Sequence, residues 1–131
     1  MGKITSHLRN TLYQVEIQSE SGNQIVADEP IELGGGNLGF SPDELVRAAL
    51  AACTSATLRM YADRKGWDLQ DVNLELDFIW DKELSKTTIH RNIHLSGNLD
   101  EAQKERLLNI ANMCPIHKVY SNPIEIISSL K

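Results

Sequence analysis

The sequence predicts an α+β chain from three patterns: stretches in which apolar and polar residues alternate, one long helix marked at both ends, and turn chemistry between the strands. One domain over residues 1–131 is expected, because a chain of this length can bury a core that holds it together unaided. With 41% hydrophobic residues, 24% charged residues and a net charge of -5, the composition is that of an ordinary soluble protein. The acidic balance and the lack of a Lys/Arg stripe argue against a binder that tracks nucleic-acid phosphates. The longest apolar-rich run, Leu45 to Met60, is broken by Arg47 and Arg59 and falls short of the roughly 20 apolar residues of a membrane span. Met1 to His7 lacks the apolar stretch of a secretory signal and Ser129-Leu130-Lys131 is no lipidation ending, so a cytoplasmic location and no membrane partner are expected.

In chain order, Tyr13, Val15 and Ile17 alternate with Gln14, Glu16 and Gln18, and the turn residues of 19–23 lead to Ile25-Val26-Ala27, which predicts a hairpin. Residues 28–40 hold Pro30, Gly34-Gly35-Gly36, Asn37 and Gly39, a loop whose glycines permit close approach of other groups. No Gly-Lys-Ser/Thr follows, so a phosphate-binding loop is a poor reading. Ser41-Pro42-Asp43-Glu44 is a helix start, with Ser41 as N-cap, Pro42 in the first position and Glu44 reaching back as a capping box. Gly66 suits the position just past the helix end, which gives about 24 residues and roughly 36 Å of helix. Small residues from Ala48 to Ala56 leave room for other backbone to come close, so this helix should be central.

Val72, Leu74, Leu76, Phe78 and Trp80 alternate with polar neighbours, which predicts a half-buried antiparallel strand. After a turn near Lys82 to Lys86, a second such strand places Ile89, Arg91, Ile93 and Leu95 on one face and His90 and His94 on the polar one. Arg91 is anomalous, because it shares the apolar phase. Asp100 can cap a helix with Gln103 closing the capping box and Leu99 as staple, and Leu107, Ile110 and Ala111 form its apolar stripe. Cys114 stands at the N-cap position of a short helix that Pro115 opens and Tyr120 ends. Pro123 leads into a final expected strand, Ile124 to Ile127.

Two cysteines are too few for a disulfide framework and, with no second pair, for a structural zinc site, which leaves burial or redox chemistry. Cys53 lies about three turns inside its helix and gains little from the dipole, so a reactive Cys53 needs a cation nearby. Cys114 has the better intrinsic setting, and composition alone favours core packing for both. Cys114 and His117 could be mistaken for a metal pair, but two further ligands are missing, so no metal is expected, and His117 reads as a hydrogen-bonding residue.

Taken together, Ala27-Asp28-Glu29-Pro30 with the glycine loop, Ser41-Pro42-Asp43-Glu44-Leu45, Ala51-Ala52-Cys53-Thr54, Leu58-Arg59-Met60-Tyr61-Ala62 with Arg64-Lys65-Gly66-Trp67, and Cys114-Pro115-Ile116-His117 are similar to the family of osmotically inducible protein C and organic hydroperoxide resistance protein (OsmC/Ohr). The similarity spans most of the chain, and it favours a reactive Cys53 over a packed one. It implies an α+β OsmC-like fold, with curved antiparallel sheets packed on a long central helix, in an intertwined homodimer. It also implies a thiol-dependent peroxidase that reduces organic hydroperoxides, with Cys53 attacking the peroxide and Cys114 resolving the product as a Cys53–Cys114 disulfide. The family pairs an N-terminal arginine with a glutamate ten residues before the first cysteine; that position is Asp43 here, and Arg9 is the one candidate arginine before the central helix, with Arg91 in reserve. Asp43 and Cys53 are separated by roughly 15 Å along one helix, so Asp43 would serve the Cys53 of a neighbouring chain. No flavin or nicotinamide fingerprint is present, so no cofactor is expected and a small dithiol or thioredoxin-like partner would supply the electrons. The competing reading is a non-catalytic module, structural or binding a small apolar ligand, in which both cysteines merely pack.

Overall fold

A computed structural model describes residues 2–131, which divide into two compact units that meet in sequence between Val46 and Arg47. In the first, β1 (Ile4–Leu8), β2 (Val15–Ser19) and β3 (Gln24–Ala27) form an antiparallel sheet in that order. The expected hairpin is the β2–β3 pair, with Ile17 opposite Ile25. Strand β1, which pairs Ile4 with Ser19 and Leu8 with Val15, carries too little alternation to be read from sequence, and all five of its residues are exposed.

The glycine loop is tied down by one carboxylate. Asp28, 2% exposed, accepts hydrogen bonds from the backbone N–H groups of Glu29 (2.8 Å), Gly36 (3.1 Å) and Leu38 (3.1 Å). A Cβ at Gly35 would come within 2.0 Å of the Glu29 carbonyl oxygen, so glycine is needed there to let two backbone segments touch. The loop is therefore an ordered structural device.

Helix α1 (Pro42–Lys65) has the length expected from its end signals. At its start the Glu44 carboxylate accepts the Ser41 N–H at 2.9 Å, which is the expected reach-back, while the Ser41 hydroxyl donates to Asp43 (2.8 Å) and Glu44 (2.9 Å). At its end Gly66 has φ +68°, the Trp67 N–H reaches the Ala62 carbonyl at 2.9 Å and the Gly66 N–H reaches that of Asp63 at 3.2 Å. That pair of bonds is a Schellman motif, and its usual apolar contact is the edge-on packing of Trp67 on Tyr61, with centroids 5.6 Å apart. Gly66→Ala is expected to cost about 1–2 kcal/mol, since an L-residue must take up the left-handed conformation; urea titration measures the loss.

The second unit contains most of α1, the long antiparallel pair β4 (Asp68–Asp81) and β5 (Lys86–Asn98), then α2 (Glu101–Ala111) and α3 (Pro115–Ser121). The capping box at Asp100 and Gln103 forms as the sequence predicts. The buried stripe of α1 is Leu50, Thr54, Leu58 and Ala62, spaced by one turn. Leu58 and Ala62 meet Leu69 of β4 and Leu107, Ile110 and Ala111 of α2 in the core. Inward residues of β5, among them Ile89, Arg91, Ile93 and Leu95, alternate with exposed His90, Asn92 and His94 as expected. Among the described residues no helix is long and apolar enough to cross a membrane.

One expectation is corrected. Ile124 to Ile127 is not a strand: residues 122–131 carry no regular secondary structure. No described strand of this chain pairs with them, so β-branched residues alone cannot hold a ladder, and Ile126 and Ile127 are more than 80% exposed.

Candidate active site

Two anomalies answer each other in the second unit. Thr54 is the one polar member of the buried stripe of α1, and Arg91 is the one charged residue in the inward phase of β5. They meet: Arg91 Nη1 donates to Thr54 Oγ1 at 2.9 Å. Thr54 is fully buried, and its own hydroxyl donates to the Leu50 carbonyl one turn back at 2.7 Å. The other guanidinium nitrogen, Nη2, donates to Asn112 Oδ1 at 2.9 Å and lies 3.3 Å from His117 Nδ1. A guanidinium has no acceptor, so Nδ1 carries the lone pair and the His117 proton sits on Nε2. Burial first, then the Arg91 charge, lowers the His117 pKa and keeps this ring neutral.

Cys114 sits inside that arrangement. It is fully buried at the N-cap of α3, where its Sγ accepts the His117 N–H at 3.3 Å and lies 3.8 Å from Thr54 Oγ1. Its position follows from the local sequence: α2 ends at Asn112, and Pro115 restarts a helix one residue after the cysteine. Cys53 is half-buried on α1, next in sequence to Thr54, and its thiol lies close enough to Cys114 to favour that residue's thiolate. Burial pushes the Cys114 thiol up, but the His117 N–H, the neighbouring Thr54 and Cys53 side chains and the Arg91 charge together outweigh it and bring its pKa below the ordinary thiol value. Both thiols are free. A cavity of about 350 Å³ shares Arg91, Asn112 and His117 with this arrangement as its polar wall, and Leu50, Ile89 and Leu108 form its apolar wall.

Of the residues singled out from sequence, Cys53 and Cys114 are brought together, and Arg91 stands among the side chains around Cys114. Arg9 and Asp43 belong to the first unit, where Arg9 pairs with Glu16 and reaches Gln14 Oε1 at 3.4 Å, and Asp43 accepts from the Ser41 hydroxyl. Thr54 and Asn112 were not legible as site residues. The available signals were indirect: a polar residue on the apolar stripe of a helix, and an amide two residues before the cysteine. Among the described residues no three His, Cys, Asp or Glu side chains group to hold a metal ion.

The family model described as OsmC-like protein matches residues 34–129. No curated protein matches the sequence. Among solved structures, a protein of the osmotic stress and detoxification response from Psychrobacter arcticus 273-4 superposes with a TM-score of 0.79 at 22% identity, covering 91% of this chain and 88% of that one. An OsmC-like protein from Mycoplasma pneumoniae gives 0.78 at 19% identity, covering 92% and 87%. An organic hydroperoxide resistance protein from Legionella pneumophila gives 0.69 at 23% identity, covering 91% and 88%. The α+β architecture with antiparallel sheets is thus shared with these proteins.

Proposed function

Because the chain belongs to the OsmC-like protein family, a family that includes hydroperoxide resistance proteins, we propose that it is a thiol-dependent peroxidase acting on organic hydroperoxides. The observation that carries this reading is the closeness of the Cys53 and Cys114 thiols, with the Cys53 thiol and the Arg91 charge both acting on the Cys114 proton. Two thiols in contact can pass from sulfenic acid to disulfide without a large rearrangement.

In this mechanism the Cys53 thiolate attacks the terminal oxygen of the hydroperoxide. The O–O bond breaks, the alkoxide takes a proton and leaves as the alcohol, and Cys53 keeps the hydroxyl as a sulfenic acid. Cys114 then attacks the Cys53 sulfur; the S–S bond forms and hydroxide departs, to be protonated to water. A dithiol, small or thioredoxin-like, reduces the disulfide by exchange and becomes oxidised in turn. The apolar wall of the cavity suits the organic group of the peroxide. No cofactor enters this sequence of steps, and a reducing cytoplasm would keep both thiols available between turnovers. Arg9, oriented by Asp43, is the proposed cation for Cys53.

The test is direct. One equivalent of cumene or tert-butyl hydroperoxide is expected to convert both free thiols into an intrachain Cys53–Cys114 disulfide, read by mass spectrometry of non-reduced peptides. Two thiols that stay free would remove the peroxidase reading and leave a module with packed cysteines.

The proposal includes a homodimer in which Asp43 of one chain serves Cys53 of the other. The exposed Ile124, Ile126 and Ile127 are apolar surface for such an assembly to cover. Sedimentation is expected to show a dimer, and mixing Asp43→Ala chains with Cys53→Ser chains is expected to restore activity through the one intact composite site of each mixed pair. A fully active monomer would overturn the shared site.

A further inference from the structure

Thr54 has one proton and two lone pairs, and the structure gives it three partners. Its proton goes to the Leu50 carbonyl at 2.7 Å, and Arg91 Nη1 donates into one lone pair at 2.9 Å. What remains toward Cys114 Sγ, 3.8 Å away, is a lone pair. That arrangement suits a Cys114 thiol, which donates its S–H to Thr54. It does not suit a thiolate, which would face a lone pair. When Cys114 loses its proton, the Thr54 hydroxyl can rotate from the Leu50 carbonyl to the sulfur, while Arg91 keeps its hold on the oxygen. The hydroxyl thus has two settings, one for each protonation state of Cys114.

Three elements contribute groups to this arrangement. Helix α1 supplies Thr54 and the Cys53 thiol, β5 supplies Arg91, and α3 supplies the His117 backbone N–H, whose ring is in turn held by Arg91 at 3.3 Å. Arg91 is the only formal positive charge among the groups named, and its hydrogen bonds go to Thr54, Asn112 and His117, all near Cys114 in the chain or in space.

We propose that Arg91 is a positioning residue for the second half-reaction: it holds Thr54 and His117 around Cys114 so that this sulfur, as thiolate, attacks the Cys53 sulfenic acid. Arg91 therefore governs disulfide closure, and peroxide attack on Cys53 draws on another cation. This rests on the peroxidase reading, because the sulfenic acid is a product of the hydroperoxide. The Arg91–Thr54 effect on the Cys114 thiolate can nevertheless be measured without any peroxide.

The first measurement uses the Cys53→Ser chain, in which Cys114 is the only thiol, and follows thiolate absorbance near 240 nm against pH. Adding Arg91→Gln or Thr54→Val is expected to move the midpoint upward by about one pH unit, a tenfold loss of thiolate below the midpoint, while Thr54→Ser, which keeps the hydroxyl, restores it. The second follows single turnover with cumene hydroperoxide. Arg91→Gln is expected to slow closure of the Cys53–Cys114 disulfide about tenfold below that midpoint, in line with the lost thiolate. In the Cys114→Ser background the same substitution is expected to slow dimedone trapping of the Cys53 sulfenic acid clearly less than it slows closure. An unmoved midpoint in both the Arg91→Gln and Thr54→Val chains overturns the proposal. So does sulfenic-acid formation slowed as much as closure, which would return Arg91 to Cys53. If the unsubstituted protein forms no sulfenic acid, the peroxidase reading fails with it, and the absorbance midpoint still decides whether Arg91 and Thr54 act on Cys114.

Discussion

If the proposed peroxidase chemistry holds, the Cys53→Ser chain is expected to lose organic hydroperoxide turnover by roughly a thousandfold or more while keeping its fold, because the substitution removes the proposed nucleophile and leaves a side chain of nearly the same shape. Cys114→Ser should behave differently. That chain can still reduce one equivalent of peroxide, but its Cys53 sulfenic acid has no thiol to condense with, so it persists and excess peroxide drives it on to the sulfinic acid. Two assays separate the cases: coupled turnover with a dithiol, and intact mass after stepwise addition of peroxide. Equal and complete loss in both variants, with no oxygen added to Cys53 in the Cys114→Ser chain, would contradict the division of labour between the two sulfurs. Near-full turnover in the Cys53→Ser chain would shift the chemistry to Cys114, the sulfur that Arg91 and His117 surround.

The largest expected effect on stability comes from the core that carries the site. Leu58 and Leu107 are both fully buried in one cluster with Ala62, Leu69, Ile110 and Ala111. Truncating either to alanine is expected to cost about 2–5 kcal/mol, the lost transfer of the side chain plus the cavity left behind. Domains of this size are commonly stable by only about 5–15 kcal/mol, so either substitution consumes a large share. Leu58 lies one turn from Thr54 on α1, and Leu107 lies on the helix that leads through Asn112 to Cys114. Urea titrations of both single variants and the double measure the cost. A double variant less destabilised than the sum of the singles is expected, because the two changes fall in one cluster. A loss below about 1 kcal/mol in both singles would contradict the packing described.

How much of the protein was legible in its sequence depended on how local each signal was. The ends of α1 were readable because Glu44 reaches back only three residues and because Gly66 alone meets the left-handed position past Lys65. The Asp100–Gln103 box and the Cys114–Pro115 restart are equally short-range. Strands β4 and β5 were readable because one face is buried, which imposes alternation, whereas β1 is exposed on all its residues and imposes none. The tail at Ile124 to Ile127 misled for the opposite reason: it has the composition of a strand without a described partner strand in this chain. The family resemblance pointed to the pair of cysteines, while the residues that surround them came from three separate elements.

Sequence alone therefore determined the helices and the β2–β3 and β4–β5 hairpins, since each is specified by neighbours a few residues away or by a strict period of burial, while the pair of thiols was singled out by the family resemblance. Tertiary structure decided the environment of those thiols. Arg91 stood out in the sequence only as a charge in an apolar phase, and nothing local could say that its partner would be Thr54, 37 residues earlier. A half-buried guanidinium must find acceptors and a buried hydroxyl must place its proton, and where these are found depends on which strand packs against which helix. That packing brings Arg91, Thr54, Asn112 and His117 together around Cys114.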